Sequence, residues 1–173
     1  RGKNLVMNLT ASIFEGVSSE PIFLQPPVPQ LTRSLIMRQL GYPSRNSKVE
    51  EGIAIVLEKM LSVATKVINP RASVLVLKPG KLRPEHVFFI DNPLVIDSKQ
   101  VRRLLDKSIF VLIFLVTIGP QLEKRSAAEE SKGRITESFV LETIGSEAVE
   151  AVIEHLHREL FAALADKAGY VLT

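Results

Sequence analysis

Few residue types in this chain could do chemistry, and their spacing narrows the choice further. The histidines are His86, His155 and His157. A helix turns about 100° per residue, so positions i and i+2 point to different sides, and His155 and His157 cannot clamp one metal ion from a single helix. The sequence has no cysteine, which excludes disulfides, thiolate metal sites and cysteine nucleophiles. It carries no Gly-x-x-x-x-Gly-Lys-Ser/Thr loop, no Gly-x-Gly-x-x-Gly loop and no Gly-x-Ser-x-Gly elbow. Two places remain. Thr117-Ile118-Gly119-Pro120 closes an apolar run and opens a helix. Its backbone N–H groups either hold an anion or belong to a tight connection, with glycine for the turn and proline to start the helix.

The second place is the stretch around Glu150. Val149, Val152, Ile153, Leu156, Leu160 and Leu164 form one helical face, with Glu147, Glu154 and Arg158 expected roughly opposite. Glu150 and His157 fall at the border of that face. A border carboxylate either faces a neighbouring cleft while partly dry or is a solvated side chain. Gly145 inside the same helix costs about 1 kcal/mol against alanine, so another backbone or a ligand is expected to pack closely there.

The elements that must position these residues follow from periodicity and punctuation. Pro21, Pro26, Pro27 and Pro29 make residues 1–30 an irregular arm with a short extended piece near its end. Thr32 caps a short helix that stops at Gly41. Ser47-Lys48-Val49-Glu50 is a capping box ahead of a helix carrying Ile53, Val56, Leu57, Met60, Leu61, Ala64, Val67 and Ile68. Strands are expected over 73–78, 86–90 and 94–96, with Pro79-Gly80 as a turn. Asp97 or Ser98 caps the next helix. Residues 109–118, Ile-Phe-Val-Leu-Ile-Phe-Leu-Val-Thr-Ile, read as a strand buried on both faces. Helices follow from Pro120 and over 134–167, with a bend expected at Gly145-Ser146. Strands and helices mix without a strict βαβ rhythm. The fold class is therefore α+β, an antiparallel or mixed sheet packed against long helices.

Composition sets outer bounds. The 173 residues suit one domain, here 31–173, behind the arm of 1–30. The charge is nearly balanced, with 22 basic and 19 acidic side chains. The basic pairs Arg102-Arg103 and Lys124-Arg125 read as solvated helix faces rather than the clustered stripe of a nucleic-acid binder, so no nucleic-acid partner is expected. The apolar run at 109–118 is about half the length of a membrane-spanning helix, and no signal-peptide pattern opens the chain. A cytoplasmic protein without a membrane partner is expected.

Taken in order, the apolar strand ending in Thr117-Ile118-Gly119-Pro120, a charged helix, and a long helix with Glu150-Ala151-Val152-Ile153-Glu154-His155-Leu156-His157 resemble the activation (reactivation) domain of cobalamin-dependent methionine synthase and its stand-alone relatives. Leu40-Gly41-Tyr42, a helix, and Pro70-Arg71-Ala72 with a strand are similar to the opening of those relatives, and the likeness covers about residues 33–173. The resemblance implies an S-adenosylmethionine-binding module with Glu150 as the helical glutamate that helps hold the ligand, where a carboxylate accepts charge-assisted hydrogen bonds from its ammonium group. Thr117 and Gly119 are the further ligand-binding residues that it implies. It also implies two partners: a protein carrying cobalamin, on which one electron and the sulfonium methyl group restore methylcobalamin from the Co(II) state, and an electron-donor protein. The family's Arg-x-x-x-Gly-Tyr segment has no full counterpart. Gly169-Tyr170 is present, but Ala165 stands at the arginine position, and the true segment is expected beyond Thr173 or is missing. That departure supports an alternative, a docking module for a corrinoid protein or methyltransferase that does not use S-adenosylmethionine.

Overall fold

The structure, a computed structural model, describes residues 20–42 and 51–168. It is α+β, and among the described residues it contains six strands and five helices. Contacts divide the chain into two units, one holding the described residues of 1–24, 72–115 and 159–173, the other those of 25–71 and 116–158.

The first unit is the β-rich one. Strand β1 (Ile22–Leu24) pairs antiparallel with β2 (Arg71–Leu77), Ile22 opposite Val74 and Leu24 opposite Ala72. On the other edge of β2 lies β6 (Val111–Thr117). A second sheet is a meander of β3 (Pro79–Leu82), β4 (His86–Phe89) and β5 (Asn92–Asp97). Its core is Leu77, Val87 and Phe89, with Leu75, Ile96, Leu105, Val111 and Ile113 against it. Ser98 caps helix α3 (Lys99–Leu104) by accepting from the Val101 N–H at 3.3 Å.

Two expectations fail here. Pro79-Gly80 is not a turn but the start of β3, with Pro79 opposite Phe89. An edge strand tolerates proline because its outer side needs no ladder donor, and the register shift between Pro79 and Leu82 is where the irregularity is absorbed. Strand β6 is not buried on both faces either. None of its residues is fully buried and Leu115 is 75% exposed. Apolar composition reports that a strand can be covered, not that it is. Among the described residues β6 is an edge of a three-stranded sheet.

The second unit is helical. Helices α1 (Arg33–Gln39), α2 (Glu51–Val67), α4 (Gln121–Glu130) and the first seven turns of α5 (Ile135–Ala168) surround one core. Ile36, Met37, Leu57, Met60, Ala64, Ile68, Ile118, Leu122, Val140, Leu141, Ile144 and Ala148 are its buried members. Fully burying a side chain of the larger kinds stabilises by about 1.5–3 kcal/mol. The sequence signals for α1 hold: Thr32 Oγ1 accepts from the Leu35 N–H at 3.4 Å, and Gly41 follows its end with φ +90°. The capping box at 47–50 and the stop at Gly169 lie outside the described residues. Helix α5 is unbroken through Gly145 and Ser146.

Helices α4 and α5 form an antiparallel pair. Leu122 meets Gly145, Ser126 meets Ser138 and Glu142, and Glu129 meets Arg134, so partners run in opposite order along the chain. Glu129, only 1% exposed, fastens the turn. Its carbonyl accepts from the Lys132 and Arg134 N–H groups at 3.1 and 3.0 Å. Its carboxylate draws in Arg125 and Arg134 at 3.0 Å each and Lys132 at 3.9 Å. The carboxylate oxygens and Arg125 Nε lack hydrogen-bond alignment, so this attraction is charge on charge. The cations keep their outer atoms in water, which lowers the desolvation cost of the cluster. Replacing Glu129 with alanine should lower the unfolding free energy by about 2–3 kcal/mol, read as a shift in urea midpoint. Exposed Glu130→Ala, its neighbour, should change it by less than about 0.5 kcal/mol. Equal effects at both positions would sink this account of the turn.

Candidate functional site

The α4–α5 pair encloses an open cleft of about 390 Å³ within the helical unit. Small-molecule sites usually measure about 300–1,000 Å³, so this one suits a modest ligand. The end of β6 and the turn after it supply Thr117, Ile118 and Gly119. Helix α4 supplies Leu122, Glu123 and Ser126, and α5 supplies Leu141, Glu142, Gly145, Ser146 and Val149.

Each wall has a local cause. The chain leaves β6 through Gly119, whose φ of +83° is open to glycine and strained for other residues. A Cβ there would also sit 3.4 Å from the Asn69 carbonyl oxygen. The turn is tied to the end of α2, since the Asn69 N–H donates to the Ile118 carbonyl at 2.8 Å. Thr117 Oγ1 accepts from the Gly119 N–H at 3.1 Å, so that donor is occupied, and Pro120 has none to offer. The connection reading of Gly119-Pro120 therefore accounts for both residues. Helix α4 starts at Pro120 without a side-chain cap, and Glu123 in its first turn places a carboxylate near the positive end of the helix dipole.

Gly145 forms the floor where α5 crosses α4. A Cβ on it would lie 3.1 Å from Leu122 Cδ2 and 3.7 Å from Ile118 Cδ1. The close neighbour is thus a side chain rather than another backbone. Further along, Ser126 and Ser138 are both buried, with their hydroxyls 2.7 Å apart. The Ser126 hydroxyl also reaches the Ser138 carbonyl at 3.2 Å and Glu142 Oε1 at 3.4 Å. Glu142 Oε1 therefore lies within reach of a group that itself lines the cleft. Glu123 and Glu142 are exposed, and neither is in an ion pair among the described residues. Two negative charges over an apolar floor suit a cationic ligand.

Of the residues singled out from the sequence, Thr117 and Gly119 line this cleft and Glu150 does not. Glu150 is exposed, one turn beyond Ser146 on α5. Glu147, expected on the outer side, is 6% exposed. The covered arc of α5 runs from Val140 and Glu147 through Ile144 and Ala148 to Val152, and it is wider than the apolar stripe alone. His155 is half-buried and His157 exposed, and among the described residues no group of three metal-ligating side chains comes together. Sequence reasoning missed Glu123, Ser126 and Glu142. Leu122, Ser126 and Glu129 recur at i, i+4 and i+7, the spacing of a buried face. That spacing was the available signal for Ser126; Glu123 and Glu142 carried none.

No protein-family model and no curated protein matches the sequence. Among solved structures, the fold is similar to the crystal structure of the MetH reactivation domain bound to AdoHcy, with a TM-score of 0.60 over 90% of this chain and 12% sequence identity. The chain spans 60% of that structure's length. The likeness establishes a shared fold of the reactivation-domain type. No described helix is long and apolar enough to cross a membrane.

The two glycines should respond differently to alanine. Gly119→Ala should cost about 1–2 kcal/mol of stability through its positive φ. Gly145→Ala should stay within about 1 kcal/mol of the parent, because the helix-propensity gain offsets a small displacement of the Leu122 methyl group. Denaturant titration of both variants checks this, and a Gly119→Ala protein as stable as the parent would contradict the turn assignment.

Proposed function

We propose that this chain is an S-adenosylmethionine-binding module of the reactivation type, serving a corrinoid cofactor carried by a partner protein. The observation that carries this reading is the fold shared with a reactivation domain that was crystallised with S-adenosylhomocysteine, the demethylated form of that ligand. The cleft supports it. Its volume suits a small ligand, its floor of Ile118, Leu122, Leu141 and Val149 suits an apolar or aromatic body, and Glu123 and Glu142 suit a ligand with cationic groups. Glu150 extends the same side of α5 by one turn past Ser146, within reach of a ligand that overhangs the cleft. In this reading the chain presents the sulfonium methyl group to the corrinoid of the partner, and a separate donor protein supplies one electron. The chain then acts as an accessory domain and carries no catalytic side chain of its own.

A second reading has one observation in its favour. Glu150 is exposed and outside the cleft lining, as expected of a module that docks on a corrinoid protein or methyltransferase without using S-adenosylmethionine.

Calorimetric titration of S-adenosylmethionine into the chain and into Glu150→Ala separates the two. The first reading expects saturable binding that weakens about tenfold in the variant, the scale of one charge-assisted hydrogen bond. An absence of heat with the parent chain would remove it and leave the docking module.

A further inference from the structure

We infer that the α4–α5 cleft selects for positive charge on the sulfur of its ligand, holding a sulfonium in preference to the neutral thioether left after methyl transfer. This rests on the reading above, that the chain binds S-adenosylmethionine. It adds which side chains read the ligand's charge state and why product would leave.

The two forms of the ligand share the nucleoside, the ammonium and the carboxylate. They differ by one methyl group and one positive charge. A sulfonium donates no conventional hydrogen bond, so a protein recognises it by charge and by apolar contact. The cleft offers both. Glu123 on α4 and Glu142 on α5 face it from its two helical walls, and its lining residues include no Lys, Arg or His. On α4, Lys124 is exposed and outside the lining, and Arg125 is turned to Glu129 at 3.0 Å. The buried Ser126 hydroxyl, 3.4 Å from Glu142 Oε1, restrains that carboxylate beside the floor. Ile118, Leu122 and Val149 exclude water on one side of the charges, which strengthens their field toward a bound cation. Each exposed ion pair is worth up to about fivefold in affinity. Two acting together place the preference for the sulfonium near tenfold.

The test is calorimetric titration of S-adenosylmethionine and S-adenosylhomocysteine into the full chain and into a Glu123→Gln/Glu142→Gln double variant, at low salt and at about 0.5 M salt, where charges are screened over a few ångströms. Glutamine keeps the volume of both side chains and the contact with Ser126. Both positions are exposed, so the fold should persist, and a thermal melt checks that it does. The expected result is a preference of roughly tenfold for the sulfonium at low salt. It should shrink at high salt and fall to within about twofold in the double variant. Equal affinity for the two ligands in the parent chain would overturn the inference while leaving ligand binding intact. So would a preference unchanged in the double variant, which would place it in methyl contact rather than charge. If neither ligand binds the parent chain, the inference falls together with the function on which it rests.

Discussion

The packing of α5 against α4, close at Gly145 and tied by Ser126–Ser138 and Glu129–Arg134, is the constraint on which the helical unit depends. With hydrogen in place of a side chain, Leu122 can lie within 3.1 Å of the point where a Cβ would stand. The helices run close at that point. At this separation the Ser126 and Ser138 hydroxyls meet, Glu142 comes within range of Ser126, and the turn at 131–134 is short enough for Glu129 to gather three cations. The cleft is what remains where the pair opens toward the end of β6. Its volume and its chemistry thus have the same origin as the core.

Polar groups in this pair are spent on position rather than on bulk stability. Ser126, Ser138 and Glu129 occupy sites that an apolar residue would fill at lower desolvation cost. In return they are directional. The serine pair fixes the register of α5 against α4, and the Glu129 cluster fixes the turn. An all-apolar seam could slide by a helical turn; this one would lose its hydrogen bonds first. A register held in this way keeps Glu123 and Glu142 on facing walls of one cleft, which is the arrangement a cationic ligand needs.

The sheet side shows the opposite economy. Residues 109–118 are the most apolar stretch of the chain, yet among the described residues β6 lies at a sheet edge, with Leu115 largely in solvent. Edge strands of this composition are hazards unless covered. Pro79 plays the complementary part on β3, where an edge position makes a missing backbone donor harmless. Position in the sheet, which is a property of pairing, decided the meaning of both residues.

The sequence by itself determined the α+β class and most element ends, because those depend on local physics. Thr32 caps α1, the cap of α3 was narrowed to Asp97 or Ser98 and is Ser98, Asn69-Pro70 closes α2, and the apolar period of α2 and α5 is read directly from residue spacing. Thr117 and Gly119 were legible as a junction beside a helix start for the same reason. Burial was not. Glu147 and Glu129 are carboxylates in covered positions, while Leu115 and Phe139 are apolar and exposed. Nor could spacing reveal that Glu123 and Glu142 face one cleft, since they sit on different helices and meet only through the α4–α5 register. A sequence records what each segment can bury and where it turns. Which faces are finally covered, and which distant side chains share a site, is decided by packing between segments, and for Glu123 and Glu142 by the packing of α4 against α5.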